Sequence, residues 1–309
     1  RWYQITGNKD ALEVASRALD CIYNYFIAGG NTFASQNWAE CNFSISHAFA
    51  LMYEQTGKQE YLEAAEYIVN EEWKIPYRDF YTKTMLACDW LTGVEKNLAF
   101  YEMGQPRWEG LHTLETLAVL YRVTGKEVYA MESLWWGIIE HDRHNTGSFG
   151  TGEGANGDPY GDGSETCNIV AWTSFSIDYL KMSKNSYVAD ELELSFYNAS
   201  LGTLLENDRE FTYMNLSSGT REPALIVLEG HSFEGGRDMS CCQANGNRGI
   251  TQIAEWALLT DSDGLYLNYY GASDIKTATA SGNTVSLRQE TEYPKYGDVK
   301  ITVTPKSFL

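Results

Sequence analysis

The chain has 309 residues, a formal net charge of −19 and an apolar content of 43%. A chain of this length can bury a large core, either as one domain or as one domain with an appendage. Its 42 acidic and 23 basic residues argue against nucleic acid or an anionic membrane surface as a partner. No apolar run reaches the roughly 18 residues of a membrane span, so we expect no membrane insertion. The compartment, cytoplasmic or exported, and the oligomeric state stay open.

A repeated Thr-Gly motif organises the first part of the chain. Each copy, at Thr6-Gly7, Thr56-Gly57 and Thr124-Gly125, joins the apolar end of one helix to a second stretch of 3.6-residue periodicity. Repeated units of this kind are αα-hairpins, the building blocks of helical toroids and solenoids. Only five residues precede the first motif, so we predict that Arg1 lies inside a helix and that the protein extends further towards its N-terminus.

The helical pattern predicts a mainly α domain over residues 1–262. Periodicity resumes from Cys167 to Lys181 and again around residues 188–205, and we count roughly eight helices before residue 261. An (α/α)6 barrel has twelve helices, so we predict an N-terminally incomplete barrel that lacks about four of them. The thiols of Cys21, Cys41 and Cys88 lie in apolar or aromatic surroundings and are expected to be free and buried.

Two stretches depart from the helical pattern. Residues 147–164 are rich in glycine and predict a long loop, which in a compact domain is usually functional. After Gly264 apolar residues alternate, as at Leu265 and Leu267 or at Val285 and Leu287, which predicts strands. We therefore expect residues 263–309 to form the start of a β-sandwich.

Two short motifs far apart in the chain carry the chemistry. In Glu165-Thr166-Cys167 the outer side chains would point the same way from an extended segment and could face one point. The adjacent pair Cys241-Cys242 cannot easily close on itself as a disulfide, but it can offer two thiolates to one metal if the backbone turns sharply. Three sulfurs and one carboxylate suit zinc better than magnesium or calcium, so we predict a zinc site. These residues alone leave open whether the zinc is structural or catalytic.

At these same residues the chain resembles glycoside hydrolase family 127, the β-L-arabinofuranosidase family. The resemblance runs in order from around Trp38 to the last residue. Besides the two motifs, it is carried by residues 240–246, 263–270 and 287–294. It implies a barrel followed by a β-sandwich, and a retaining exo-glycosidase that removes a furanose such as β-L-arabinofuranose from an oligosaccharide or glycoconjugate.

The resemblance also implies roles for individual residues. Cys241 would be the nucleophile, held as a thiolate by the metal. Glu153 occupies the place of the family's acid/base, which protonates the leaving oxygen and then activates water. A solvated loop carboxylate is the alternative interpretation of Glu153, and Asp158 and Asp162 are the nearest other candidates. The zinc ligands would be Glu165, Cys167, Cys241 and Cys242.

Three histidines complete the expected site. His47 and His112 match family helices whose histidines reach the sugar, and His231 precedes the cysteine pair closely enough to line the site. A lone histidine on a helix is more often a hydrogen-bonded core residue. Three residues after the second histidine the family typically has an arginine. This chain has Glu115 there, which reverses a charge near the sugar.

Three rival functions stay open at this point. A related glycosidase could act on another acidic or branched sugar. A non-catalytic glycan-binding protein could hold the same zinc for structural reasons. A polysaccharide lyase shares the helical toroid but uses tyrosine and histidine bases, and its unsaturated products would absorb in the ultraviolet.

Overall fold

The computed structural model describes residues 2–37, 39–78, 83, 85–98, 102, 108–149, 163–221 and 241–306, and this part of the chain is mainly helical. Its α-helices are α1 (Trp2–Thr6), α2 (Lys9–Phe26), α3 (Ala39–Asn42), α4 (Ile45–Thr56), α5 (Gln59–Asn70), α6 (Trp90–Glu95), α7 (Trp108–Thr124), α8 (Glu132–His141), α9 (Thr166–Ser183), α10 (Ser186–Leu194), α11 (Cys241–Thr251) and α12 (Ile253–Trp256). Eight of these described helices have nine or more residues, in agreement with the count from periodicity. None of them is both long enough and apolar enough to cross a membrane. Arg1 lies outside the described residues.

The three Thr-Gly motifs adopt one geometry. In each, the glycine amide donates to a tyrosine carbonyl four residues earlier at 2.7 Å. The pairs are Gly7 and Tyr3, Gly57 and Tyr53, and Gly125 and Tyr121. The glycine φ angles are 70°, 70° and 68°, in the left-handed region where a missing Cβ removes the steric penalty. Each threonine hydroxyl also donates to the carbonyl four residues earlier at 2.6 Å, so the motif ends one helix and orients the next.

A buried tyrosine after two of these motifs ties successive hairpins together. Tyr61 on α5 donates to the Asp20 carboxylate on α2 at 2.7 Å. The hydroxyl of Tyr129, after the third motif, donates to Glu66 on α5 at 3.0 Å. In both cases the lysine that follows the motif's glycine contacts the same carboxylate. The contact that joins one hairpin to the next is therefore repeated along the chain, as expected of a helical repeat.

Helices α7 and α9 form the centre of the described bundle. α7 packs against α4 and α9, and α9 also packs against α10 and α11. Both helices are buried on most of their surface, which is typical of helices inside a large core rather than on its face. Across this core the rings of Trp135 and Trp172 stack with their centroids 5.8 Å apart. The helices that carry His112 and Cys167 are thus held rigidly from several sides.

The described strands form four small antiparallel sheets. They are β1 (Tyr77–Arg78) with β2 (Met85–Leu86), β3 (Gly163–Glu165) with β4 (Met214–Leu216), β5 (Leu258–Thr260) with β6 (Leu265–Leu267), and the three-stranded sheet β7 (Ser273–Ala278), β8 (Thr284–Thr291) and β9 (Val299–Pro305). In the last sheet Leu287 lies between Ile275 and Val303, so the predicted alternation does mark strands. β5 ends at Thr260 and pairs with β6, which begins at Leu265, so this hairpin spans the predicted domain boundary at residue 262. The division into domains 1–262 and 263–309 stays a prediction.

The three cysteines expected to be buried differ in exposure. Cys88 is fully buried and Cys41 is partly buried, but Cys21 is exposed. Cys21 lies on α2, whose only buried residue is Leu19, so the apolar neighbours of Cys21 in sequence do not cover it in space. The expectation was therefore wrong for Cys21, because helix periodicity does not reveal which face a neighbour covers.

Candidate metal centre and adjoining pocket

Glu165 and Cys167 lie at a strand-to-helix junction. Glu165 ends β3 and precedes α9, with φ −61° and ψ 138°. Thr166 anchors the junction, because its amide donates to Tyr213 O at 2.9 Å and its hydroxyl to Thr212 O at 2.7 Å. The expected extended run through this motif is therefore wrong beyond Glu165, since Thr166 and Cys167 begin a helix. The change of direction at this junction turns both ligand side chains towards one point.

Cys241 and Cys242 begin α11, so the first turn of a helix supplies the sharp change of backbone direction that two adjacent thiolates need to reach one metal. Gln243 docks this turn on the segment that also holds Thr166. Its side-chain amide accepts from Phe211 N at 3.1 Å and donates to Phe211 O at 3.2 Å. Residues 211–214, which lead into β4, thus position both cysteine motifs through backbone hydrogen bonds.

The four predicted ligand atoms converge. Cys242 Sγ lies 3.5 Å from Cys167 Sγ and 3.9 Å from Cys241 Sγ. Glu165 Oε1 lies 3.5 Å from Cys242 Sγ and 3.9 Å from Cys241 Sγ, and all four atoms lie within 4.8 Å of one another. Ligands placed tetrahedrally at about 2.0–2.3 Å from zinc are about 3.3–3.8 Å apart. The group therefore fits zinc in the spacing of its donors as well as in their softness, and it could hold a metal ion.

Burial divides the four groups. Cys167 and Cys242 are inaccessible and Glu165 nearly so, whereas Cys241 is exposed. Hydrogen bonds from the Cys167 and Cys242 thiols lower the pKa of the Cys241 thiol to about 3. The hydrogen bonds with Cys241 and Cys242, followed by burial, raise the pKa of Cys167. The thiolate form is thus favoured at the one sulfur of the group that a reactant can approach.

A cavity of about 650 Å³ is lined mainly by side chains of α4, α7 and α11, and one lining residue, Trp108, also contacts the sulfur group. Trp108 connects the two features. Its side chain packs against Cys167 and Cys242, and its ring meets the His112 ring edge-on with the centroids 4.9 Å apart. One indole therefore separates the sulfurs from the polar wall of the cavity, whose volume suits a small ligand.

Two histidines of this wall surround a buried carboxylate. Glu115 is only 2% exposed, its Oε1 contacts His112 Nδ1, and its Oε2 lies 3.7 Å from His47 Nδ1. Burial would raise the pKa of Glu115, but His112, His47 and Arg248 together hold it below its ordinary value. Arg248, on α11, donates from Nη1 to His112 Nε2 at 3.0 Å. The negative charge expected near the sugar is therefore covered by protein and compensated by an arginine from another helix.

Comparison with known proteins decides the family. A family profile described as "Beta-L-arabinofuranosidase, GH127 catalytic domain" matches residues 1–255. The chain belongs to glycoside hydrolase family 127. A curated relative, a non-reducing end β-L-arabinofuranosidase from Bifidobacterium longum subsp. longum, is 26% identical over an alignment of 335 positions, which covers 98% of this chain and 49% of that protein.

Solved structures of family 127 proteins share the fold. A β-L-arabinofuranosidase from Geobacillus stearothermophilus T6 matches 85% of this chain and 45% of its own, with a TM-score of 0.61 and 23% identity. A GH127 β-arabinofuranosidase matches 98% of this chain and 46% of its own, with a TM-score of 0.71 and 20% identity. The chain thus spans about half the length of these three relatives.

The structure places some of the residues expected from family 127 and not others. It brings the four metal-group residues together and puts His47 and His112 on the wall of the adjoining cavity. The residues Glu153, Asp158, Asp162 and His231 lie outside the described part of the chain, as does most of the glycine-rich stretch. Sequence reasoning missed Arg248. The available signal was its spacing, because a residue seven positions after Cys241 lies on the same face of a helix.

Proposed function

We propose that this chain carries the catalytic site of a retaining exo-glycoside hydrolase that removes β-L-arabinofuranose, or a related furanose, from an oligosaccharide or glycoconjugate. The observation that carries the proposal is the exposed thiol of Cys241 beside two buried sulfurs and a buried carboxylate. Membership of family 127 and the activity named for the curated relative support the reaction and the substrate class.

We also propose that the described helices belong to an (α/α)6 barrel that is followed by a β-sandwich. Three observations support this architecture. The αα-hairpins repeat with one junction geometry, residues 273–305 contain an antiparallel three-stranded sheet, and the chain superposes on family 127 structures with TM-scores of 0.61 and 0.71.

Glu165, Cys167, Cys241 and Cys242 would hold one zinc ion. When bound, zinc would keep the thiols deprotonated at neutral pH. The protein contributes the rigidity of the donor set, because strand β3 and helices α9 and α11 are all fastened to residues 211–214. Cys241 differs from the other three ligands in its exposure, and this difference supports the nucleophilic role of Cys241 rather than of Cys242.

The proposed reaction is a double displacement at the anomeric carbon. The Cys241 thiolate forms a bond to this carbon while the glycosidic C–O bond breaks and Glu153 gives its proton to the leaving oxygen. A water molecule then gives a proton to the Glu153 carboxylate and its oxygen to the anomeric carbon, and the C–S bond breaks to restore the thiolate. Two inversions at one carbon give net retention. The role of Glu153 rests on the family resemblance.

The cavity lined by Trp108, His47 and His112 would hold the sugar. Trp108 offers an aromatic surface next to the sulfurs, and His47 and His112 line the same space with polar edges. His231 remains a proposed contact from the sequence. Trp108 lines this cavity and packs against Cys167 and Cys242, so we propose that a sugar held there reaches Cys241 past the indole.

A non-catalytic glycan-binding protein with structural zinc is the second candidate. The specific observation in its favour is that four protein side chains complete the donor set, since structural zinc sites are usually closed whereas catalytic sites keep a position open. The exposure of Cys241 distinguishes this set from an ordinary structural site, in which all four ligands are shielded.

The test compares wild type with Cys241→Ala and with Cys21→Ala, which removes an exposed thiol from α2 and serves as the matched control. We expect wild type and the control to hydrolyse nitrophenyl β-L-arabinofuranoside, and Cys241→Ala to lose roughly a thousandfold or more in kcat. Zinc is measured on each preparation. Zinc in the wild type together with no turnover on a panel of furanosides and pyranosides would favour the glycan-binding protein instead.

A further inference from the structure

The hydrogen bonds around His112 determine which of its nitrogens carries the proton. An arginine side chain can only donate, so His112 Nε2, which lies 3.0 Å from Arg248 Nη1, must be the acceptor. The ring proton is then on Nδ1, where it is donated to the Glu115 carboxylate. Both nitrogens of His112 are therefore occupied by protein partners.

The guanidinium of Arg248 has donors to spare. Among the described residues it donates to His112 from Nη1 and to Ser174 Oγ from Nη2, the latter also at 3.0 Å. A guanidinium carries five N–H groups, so about three remain for other acceptors. Arg248 is half-buried and lines the 650 Å³ cavity, so these donors lie at the cavity's edge.

Arg248 and Cys241 share one face of α11. They are seven residues apart, which is close to two full turns and about 10 Å along the helix axis. Side chains on a helix lean towards its N-terminus, so that of Arg248 leans towards Cys241. Trp108 spans the remaining distance, because it touches both the buried sulfurs and the His112 ring.

We propose that Arg248 is a substrate-binding residue that donates hydrogen bonds to adjacent hydroxyl oxygens of the sugar held beside Cys241. This inference rests on the proposed function and deepens it. The planar fork of a guanidinium matches two neighbouring acceptors, so the substrate class is a sugar that offers a vicinal diol to this fork. The role of His112 changes accordingly, since His112 orients Arg248 rather than binding the sugar through its nitrogens.

Glu115 acts through His112 and is a positioning residue. Its buried carboxylate fixes the proton on Nδ1, and only this tautomer leaves Nε2 free to accept from Arg248. This chain has Glu115 at the position where the family typically has an arginine. The arginine that lines the cavity here is Arg248, on α11. A Glu115→Gln variant keeps a carbonyl acceptor for Nδ1–H, whereas Glu115→Leu removes the acceptor, and we expect only the second to weaken sugar binding strongly.

The first experiment measures kcat and KM of the full chain on nitrophenyl β-L-arabinofuranoside. For Arg248→Met we expect KM to rise at least about tenfold to a hundredfold, the range for losing the first of its charge-assisted hydrogen bonds to the sugar, while kcat changes much less. The KM of Arg248→Lys should lie between those of wild type and Arg248→Met, because an ammonium keeps the charge but lacks the planar pair of donors. The matched control is Arg288→Met, which removes an exposed arginine from β8 and should leave both constants unchanged. Zinc content should stay at the wild-type value, because Arg248 is not one of the four residues that could hold the metal and lies about two helical turns from Cys241.

The second experiment identifies the contact. Wild type and Arg248→Met are compared on the parent furanoside and on analogues that each lack one ring or exocyclic hydroxyl. If Arg248 donates to a given hydroxyl, the analogue that lacks this hydroxyl should have a kcat/KM at least about tenfold lower than the parent furanoside with wild type. With Arg248→Met the two substrates should have almost the same kcat/KM. A merely structural role would lower activity on all substrates by one common factor and leave every deoxygenation penalty unchanged.

The outcomes separate this inference from the proposed function. Suppose that wild type turns over the furanoside and that removing each hydroxyl from the substrate lowers kcat/KM by the same factor in wild type and in Arg248→Met. This result would overturn the role of Arg248 alone. The furanoside's affinity can also be measured without turnover, by comparing Cys241→Ala with the double variant Cys241→Ala/Arg248→Met. Equal affinities of these two proteins would likewise overturn the role of Arg248. If no furanoside or pyranoside binds or reacts with wild type, both the proposed function and the role of Arg248 are wrong.

Discussion

Asn245 donates a hydrogen bond from its side-chain amide to Cys167 Sγ across 3.2 Å. The contact joins α11 to α9 inside the metal group, between the two motifs that supply the thiols. An N–H donor stabilises negative charge on sulfur and fixes the direction in which the sulfur points. Asn245 would therefore support a metal ligand without being one.

Replacing Asn245 by alanine should weaken zinc binding about tenfold to a hundredfold, the usual cost of losing a supporting hydrogen bond to a ligand. The measurement is competition between the protein and a chelator of known affinity. Asn247→Ala, which changes an exposed residue of the same helix, is the control and should bind zinc like wild type. Equal affinity in the two variants would show that the hydrogen bond has no such role.

Gly246 should not tolerate a side chain. A Cβ at this position would lie 2.2 Å from carbons of the Phe211 ring, so Gly246→Ala forces α11 away from the segment that aligns both motifs. We expect a loss of about 1–3 kcal/mol in the free energy of unfolding, measured by denaturant titration, together with weaker zinc binding. Gly137→Ala in α8 is the matched control, because nothing lies within 4 Å of its Cβ and alanine favours a helix. Wild-type stability in Gly246→Ala would mean that α11 is not held as we describe.

The buried tyrosine of the hairpin repeat should matter more than its lysine. Tyr129 is 1% exposed, accepts from Asn70 Nδ2 at 2.8 Å and donates to Glu66 at 3.0 Å. We expect Tyr129→Phe to cost about 1–2 kcal/mol of unfolding free energy, because it removes two hydrogen bonds of a buried hydroxyl, those with Asn70 and Glu66. Lys126→Met should cost less than about 1 kcal/mol, since that lysine is 54% exposed and its ion pair is screened by water. The reverse order in urea unfolding would contradict the account of the repeat.

Glu115 should stabilise the fold only while it is ionised. Its pKa lies below the ordinary value of 4.5, so its contribution is present above that pH and is lost as the pH falls through the lowered pKa. We expect Glu115→Gln to lower the free energy of unfolding by about 1–3 kcal/mol at neutral pH. The gap between variant and wild type should close in acid. A gap that widens as the pH falls would show that the carboxylate is not held in its charged form.

Local chemistry made part of this structure predictable. The Thr-Gly motif acts within one helical turn, so its three copies could be interpreted without knowledge of the packing. The convergence of Glu165 and Cys167 with Cys241 and Cys242 could be predicted from the types of ligand atom and from the family resemblance. The backbone at Thr166 could not be predicted, because its helix begins where β3 leaves its pairing with β4, a strand from a distant part of the chain. Arg248 went unnoticed because its partner, His112, lies on another helix.

The central claim is that one carboxylate and three thiols hold zinc with Cys241 among them. X-ray absorption at the zinc edge of the purified protein tests it most directly. We predict one zinc ion per chain, with three sulfur ligands at about 2.3 Å and one oxygen ligand at about 2.0–2.2 Å. A protein without zinc, or zinc bound mainly by nitrogen and oxygen, would contradict the account.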